Sequence, residues 1–474
     1  MPLKQRPAAS PSIQPLPLCN RNSYGILAPS AEPLGTVIAP PWRVLAILSK
    51  RWQLWCAGVA SLAGACAIAS PTWAQTGPGT TAQSQTVDAA RGPIVGSTRR
   101  IGLGGAFVAI GDDTEGVAIN PASTAVRLPY SFQDWNLGFG LDVAVGAWLP
   151  KNDVYNQGNT ASQDQAKADK STALFGSLAL LVNYRHFGVG IAAEAQRNAA
   201  SRSQQTPGID TNFAANFGMV HMNLAYGYLD GQLLLGAGPR VIGMSFDRTG
   251  SSGVLGAAGV GYEAGVLVKP IRRRYRIAAA VKSPINAVLA AEPGLAASTV
   301  HVPWEVALGL AYQVGPRTLN PRLVTARELA RRTTGHRQPT DAELDQAALE
   351  LFNRYQERQR WYLLLSTELS IIQGGGPVGL SGQTAMDRPV ISPRLGLESE
   401  IIPQYLCLRT GSYYEPALIA GTQSRVHGTG GLDVKLFEWS LFGLLAPFDY
   451  WQLSLGADAA RSYLNTAFSI GIWH

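Results

Sequence analysis

From Trp135 onward apolar and polar residues alternate. Trp135, Leu137, Phe139, Leu141, Val143, Val145, Ala147 and Leu149 fall on one side. Asn136, Gly138, Gly140, Asp142, Ala144, Gly146 and Trp148 fall on the other. A period of two is that of an extended strand, and it holds here for about fifteen residues, longer than an ordinary globular strand. Residues 174–184 repeat it, with Leu178, Leu180 and Val182 on one side. Residues 302–314 repeat it again. There Val302, Trp304, Val306, Leu308, Leu310, Tyr312 and Val314 oppose Glu305, Gly309 and Gln313. One such strand fits the edge of a sandwich. Several of this length, with small and polar residues opposite the apolar ones, predict a lipid face and a lumen face.

About fourteen strands of this kind fit between Gln133 and Trp473. If the first rises from the periplasm, long connections at 150–170, 197–211, 283–299, 373–389 and 415–425 lie outside. Short ones at 185–186, 229–231, 269–273 and 403–404 lie inside. Long outside and short inside is the asymmetry of outer-membrane barrels. Residues 316–360, about 45 in number, break the rule on the short side. They carry Thr340-Asp341-Ala342-Glu343, which resembles a capping box, and then a stripe of Leu344, Ala348, Leu351, Phe352 and Tyr355 at helical spacing. Arg354, Glu357, Arg358 and Arg360 sit around it. The expectation is a solvated, helical periplasmic insertion; a docking element for a periplasmic partner is the alternative.

Ahead of the strands lies R-I-G-L-G-G-A-F-V-A-I-G-D-D-T-E-G-V-A-I-N-P-A, residues 100–122. It is too rich in glycine for a helix and too polar in its second half for a buried strand. Gly111-Asp112-Asp113 and Asn120-Pro121 are turn signals. The segment cannot bury itself alone, so it is expected to pack as an irregular strip inside something larger. Phe107, Val108 and Ile110 suit an apolar wall. Asp112, Asp113 and Asn120 suit either polar wall groups or the capping of their own turns. A dinucleotide loop is excluded, because the third glycine of G-x-G-x-x-G falls on Phe107.

The run G-x-G-G-A-F-V-A-I, followed by D-D and then N-P-A, resembles the N-terminal signature of the FadL-type superfamily of outer-membrane hydrophobic-compound transporters. The secretion-associated porin PorV is similar. The resemblance covers about 23 residues. It implies an all-β fold: a transmembrane antiparallel barrel of about 14 strands, with 100–132 as a hatch in the lumen. It implies passive transport of hydrophobic small molecules such as long-chain fatty acids; the alternative is a PorV-like role in protein secretion or cell-surface assembly. Gly104, Gly105, Phe107, Asp112, Asp113, Asn120, Pro121 and Ala122 are then the candidate plug or ligand-binding residues.

Composition fits a barrel. Charged residues are 15%, against roughly 25% in soluble domains. Mean hydropathy is +0.03, yet beyond residue 75 no apolar run reaches the about 18 residues of a helical span. The net charge of +7 is spread along the chain and does not suggest nucleic-acid binding. Residues 1–49 are proline-rich and without period, and are read as an unstructured extension or a start-site error. Lys50-Arg51, the apolar 54–68 and Thr72-Trp73-Ala74 make 50–74 a signal peptide. Cys66 sits in a faint lipoprotein-like box with Ala63 where leucine is usual, which weighs against lipidation. Residues 75–99 are expected to be a flexible lead-in, and 133–474 the barrel. Of four cysteines only Cys407 lies beyond the signal, so no intrachain disulfide or zinc site is expected.

The chain ends with Leu464, Thr466, Phe468, Ile470 and Ile472 alternating with Tyr463, Asn465, Ala467, Ser469, Gly471 and Trp473. Such a terminal strand resembles the signal read by the barrel assembly machinery. No hydrolase or metalloprotease motif occurs. Gly374 to Gly379 matches G-x-G-x-x-G, but Pro389 follows too soon for a crossover helix, so an outside loop is expected. Asp142, Glu194, Glu263 and Glu305 fit polar lumen lining as well as catalysis. The expected partners are outer-membrane lipids and a hydrophobic small molecule; no enzyme activity, metal or cofactor is expected.

Overall fold

A computed structural model describes residues 85–88, 94, 96–127, 132, 134–145, 168–203, 210–248, 255–288, 298–335, 337–356, 361–373, 378–379, 389–417, 424–438 and 450–473. The signal peptide expected over 50–74 and the extension expected before it lie outside these residues. In chain order the strands are β1 (Gln85–Asp88), β2 (Trp135–Val145), β3 (Ala168–Tyr184), β4 (Phe187–Ser203), β5 (Asp210–Tyr228), β6 (Leu233–Arg248), β7 (Leu255–Val268), β8 (Tyr275–Lys282) and β9 (Ile285–Val288). They continue with β10 (Ser298–Val302), β11 (Glu305–Val314), β12 (Leu363–Ile372), β13 (Val378–Gly379), β14 (Val390–Ile402), β15 (Leu406–Glu415), β16 (Arg425–Glu438), β17 (Tyr450–Ala460) and β18 (Tyr463–Trp473). The helices are α1 (Thr98–Gly102), α2 (Ala326–Thr334) and α3 (Asp341–Gln356).

Fourteen strands, all but β1, β9, β10 and β13, close into one antiparallel barrel. Its seam is the pairing of β18 with β2, from Thr466↔Val145 to Ile470↔Leu141. Side chains sort by parity, as the alternation predicts. Trp135 is 61% exposed, Leu137 59% and Ile391 52%, all on the outer face. Asn183, His221, Glu263, Glu368, Glu398 and Asp458 point inward and are buried. Apolar outside and polar inside is the reverse of a soluble barrel and fits a wall bathed in lipid. Among the described residues no helix is long and apolar enough to cross a membrane.

The two ends differ. One end carries the tight connections 185–186, 229–232, 269–274 and 403–405, together with 315–362 and the longer 439–449. Exposed Trp135, Tyr184, Tyr226, Tyr228, Tyr312 and Tyr405 ring this short-turn end, a girdle at membrane-interface height. The opposite end carries most of the longer connections, but also the two-residue turn at 461–462. The 197–211 connection is shorter than the sequence suggests. Residues 198–203 stay paired with 210–215, because a hairpin that has left the membrane no longer needs apolar alternation. A span needs only about 9–11 residues, and β3 to β6 have 16 to 19.

The expected single strand over 302–314 is two elements. The β8–β11 ladder stops at Lys282↔Glu305, and pairing resumes at Ile285↔Val302 in a separate sheet. Pro284 and Pro303 stand at the break, each without an N–H to give to the ladder. Beyond it the hairpin tip folds inward, so that a Cβ on Gly259 or Gly261 of β7 would meet Ile285 at 2.5 or 2.6 Å. The second sheet runs β13-β1-β10-β9. Residues 85–88, expected in a flexible lead-in, are therefore a strand, with both edges taken in parallel by β10 and β13. Val378 and Gly379 of the glycine-rich run serve as one of those edges.

The insertion on the short-turn end is a pair of helices. Thr325 caps α2 by accepting the Glu328 N–H (3.2 Å). At α3, Glu343 accepts from the Thr340 N–H (2.8 Å) and hydroxyl (2.9 Å), which is one half of the expected box. The same two bonds hold the Glu343 carboxyl below the usual carboxylate value. The stripe of α3 is not solvated. Ala347 and Leu351 pack on Ala326 and Ala330 of α2, with Leu344, Ala348 and Phe132 around them.

Candidate functional site

Residues 96–127 lie against the inner face of the barrel. The wall makes room with glycine. A Cβ at Gly188, Gly236, Gly265, Gly309, Gly396 or Gly411 would come within 2.6 Å of an atom in this segment. Those six glycines stand on six different strands, from β4 to β15. A strip in such contact with strands all around the wall can only run through the lumen.

The eight candidate residues fall along this strip. Gly104 (φ +58°) and Gly105 (φ +75°) take left-handed conformations. A Cβ on Gly104 would sit 2.8 Å from the Ser412 backbone nitrogen, so the position has neither the dihedral nor the space for a side chain. Phe107 is fully buried. Its N–H and that of Val108 both donate to Glu368 Oε2 on β12, at 2.9 and 2.8 Å. Asp112 pairs with Arg99 (2.7 Å) and stands 3.6 Å from Arg276 of β8. Asp113 caps its own turn, accepting from the Thr114 N–H. Asn120 does both jobs. Its Oδ1 accepts the Ala122 N–H, while Nδ2 donates to Val108 O (3.1 Å) and to Val266 O of β7 (3.4 Å). Pro121 and Ala122 pack over Gly236.

A chain of charges that the sequence does not reveal crosses the lumen beside them. Arg409 of β15 bridges Asp433 of β16 and Glu398 of β14. Glu398 also accepts from Arg99 (2.7 Å) and from the Tyr362 hydroxyl (2.8 Å). Arg99 passes the link to Asp112, and Asp112 to Arg276. Arg276 then donates to Ile110 O of the strip, Leu319 O and Asn320 Oδ1 of the insertion. One guanidinium thus ties wall, strip and insertion together. Charges buried this deeply persist only when paired in this way. A cavity of about 140 Å³ adjoins the network and reaches the wall at the seam, where Phe139, Leu141, Ile470 and Gly471 line it.

The carboxylates noted in the sequence each have a partner. Asp142 accepts from Ser177, Glu305 from Ser370, and Glu194 and Glu263 flank His221. A second buried histidine, His427, lies between Glu415 (2.7 Å) and Asp458 (2.8 Å). Lys269, in the β7–β8 turn, differs: among the described residues its ammonium has no salt bridge or hydrogen bond. Burial, with Arg276 and Arg127 nearby, lowers its pKa to about 7, against the opposing pull of Asp112.

No family model matches this chain, and no curated protein does. Solved structures similar to it include the CymD monoaromatic hydrocarbon channel, 12% identical over 80% of this chain and 96% of that one, TM-score 0.45. A Pseudomonas aeruginosa FadL homologue is 12% identical over 81% and 99%, TM-score 0.49. A TodX monoaromatic hydrocarbon channel mutant, deltaS2S3, is 13% identical over 76% and 94%, TM-score 0.43.

Proposed function

We propose that this chain is an outer-membrane channel for passive movement of hydrophobic small molecules, with 100–122 as the hatch that closes its lumen. The observation that carries the reading is the fit between strip and wall. Six wall glycines leave the space that the strip occupies, and Glu368, Val266 and Arg276 satisfy its polar groups. A lumen blocked by its own chain does not suit a general aqueous pore. It suits a passage that opens by local rearrangement, and the cavity beside the strip reaches apolar residues at the seam. The N-terminal signature, similar to that of FadL-type transporters, supports long-chain fatty acids or related compounds as passengers.

The test has two arms. Proteoliposomes carrying the full-length protein should take up a labelled fatty acid faster than empty ones, and absence of flux through a heat-modifiable barrel sinks the transport reading. Deleting 100–122 while keeping the export signal should give a folded barrel with raised conductance in planar bilayers. Unchanged conductance removes the hatch.

A further inference from the structure

A second cavity, about 660 Å³, opens between α2 and the turns of the short-turn end. Its walls are basic. The turns and the end of the strip bring Arg127, Arg185 and Lys269; the insertion brings Arg322, Arg327, Arg331 and Arg332. Three carboxylates line the same space: Asp134, Asp230 and Glu328. Two of them are already shared. Asp134 stands 3.6 Å from Arg185 and 3.4 Å from Arg327. Glu328 stands 3.5 Å from Arg322 and 2.5 Å from Arg332. That leaves the cavity with excess positive charge. Among the described residues, neither Lys269 nor Arg331 has a salt bridge.

We infer that this cavity is a binding site for an oxyanion, a carboxylate or a phosphate, with Lys269 of the β7–β8 turn and Arg331 of α2 as its cationic ligands. Like charges lining one concavity raise the local potential and draw in a counter-charge. Arginine presents paired N–H donors that match two oxygens of one carboxylate or phosphate. A lysine held among arginines without a carboxylate partner costs folding energy, and an anion settling there relieves the repulsion. Lys269, Arg127, Pro321 and Leu323 line both cavities, so the anion site adjoins the lumen network. An anion held in this cavity does not require the barrel to be a channel.

Isothermal titration of the detergent-solubilised full-length protein tests it, with inorganic phosphate and sodium octanoate as probes. Saturable binding that weakens in high salt is expected. The double variant Lys269→Met, Arg331→Gln should weaken it by about tenfold or more, the scale of a lost hydrogen bond to charge. Lys269→Arg, which keeps the charge, should retain it. Arg273→Gln, on the same turn but outside the cavity, should leave it unchanged. Tighter binding of octanoate supports the site with the carboxylate head of an amphipath as its ligand. Equal binding of both probes supports it with a free oxyanion. No saturable heat with either probe overturns the inference, and so does full binding by the double variant while heat-modifiability shows it folded.

Discussion

Arg276 shows how much one side chain can decide. Its three donor nitrogens reach Ile110 O of the strip and Leu319 O and Asn320 Oδ1 of the insertion, and Asp112 lies beside them. Arg276→Ala leaves two backbone carbonyls, the Asn320 amide oxygen and a carboxylate with fewer partners in a buried setting. The expected loss is about 3 kcal/mol, the scale of breaking a buried pair. It should appear as a lower melting temperature in detergent and as faster proteolysis within 96–127. Lys269 makes the opposite prediction. Its folded pKa of about 7 lies below the unfolded lysine value of roughly 10.4. Between these values the unfolded chain holds a proton that the folded one has lost, so stability rises with pH. Below about 7 both forms are protonated and the penalty is at its full size. Lys269→Met should melt higher than wild type at pH 7, with the gap narrowing toward pH 10. An equal gap at both ends of that range counts against it. Neither residue stands out in the sequence. Arg276 is one more charge in R-R-R-Y-R, and its partners Ile110 and Asp112 lie far away along the chain.

Elements were more legible than residues, where a local rule governs them. Alternation in 135–145 follows from lipid on one side and lumen on the other. The stripe of α3 follows from helical spacing, but its burial does not: the partner face of α2 is two alanines, Ala326 and Ala330, too small to announce a packing surface. The break at Pro303 was hidden for another reason. Val302 and Trp304 keep the parity of β11 across Pro303, and it takes the facing Pro284, between β8 and β9, to stop the ladder from both sides. Leu351→Ala should unfasten the helix pair while sparing the barrel, at about 2–4 kcal/mol. Brief trypsin treatment should then cut at Arg331, Arg332 or Arg354, with heat-modifiability retained. A variant as resistant as wild type would mean that the pair is held from elsewhere.

At the scale of the whole molecule, parity and topology fix which end belongs with which. An odd number of crossings separates β2's start from the long-loop end, so the helix pair shares an end with both Trp135 and Trp473. Under the proposed function that end is periplasmic. A cysteine introduced at Ala342, on exposed α3, should then resist a membrane-impermeant maleimide in intact cells and react after permeabilisation. Ready reaction in intact cells would turn the barrel over.

The small sheet and the strip also constrain the order of manufacture. β1 is held by β10 at the long-loop end, while Thr124 rests against Gly188 and Asn183 near the opposite rim. The stretch between them runs the length of a tube whose wall is made later in the chain. That tube has no wall until β18, the last strand, zips to β2, a pairing that joins Leu141 to Ile470. A contact so distant in sequence forms slowly. Until it forms the sheet is an open trough, and afterwards the strip would have to be drawn in through a finished pore. The molecule is thus built like a ship in an unfinished bottle, with the contents laid first and the glass sealed over them. Damage to the final seam should therefore leave chains in which the strip is docked but never enclosed.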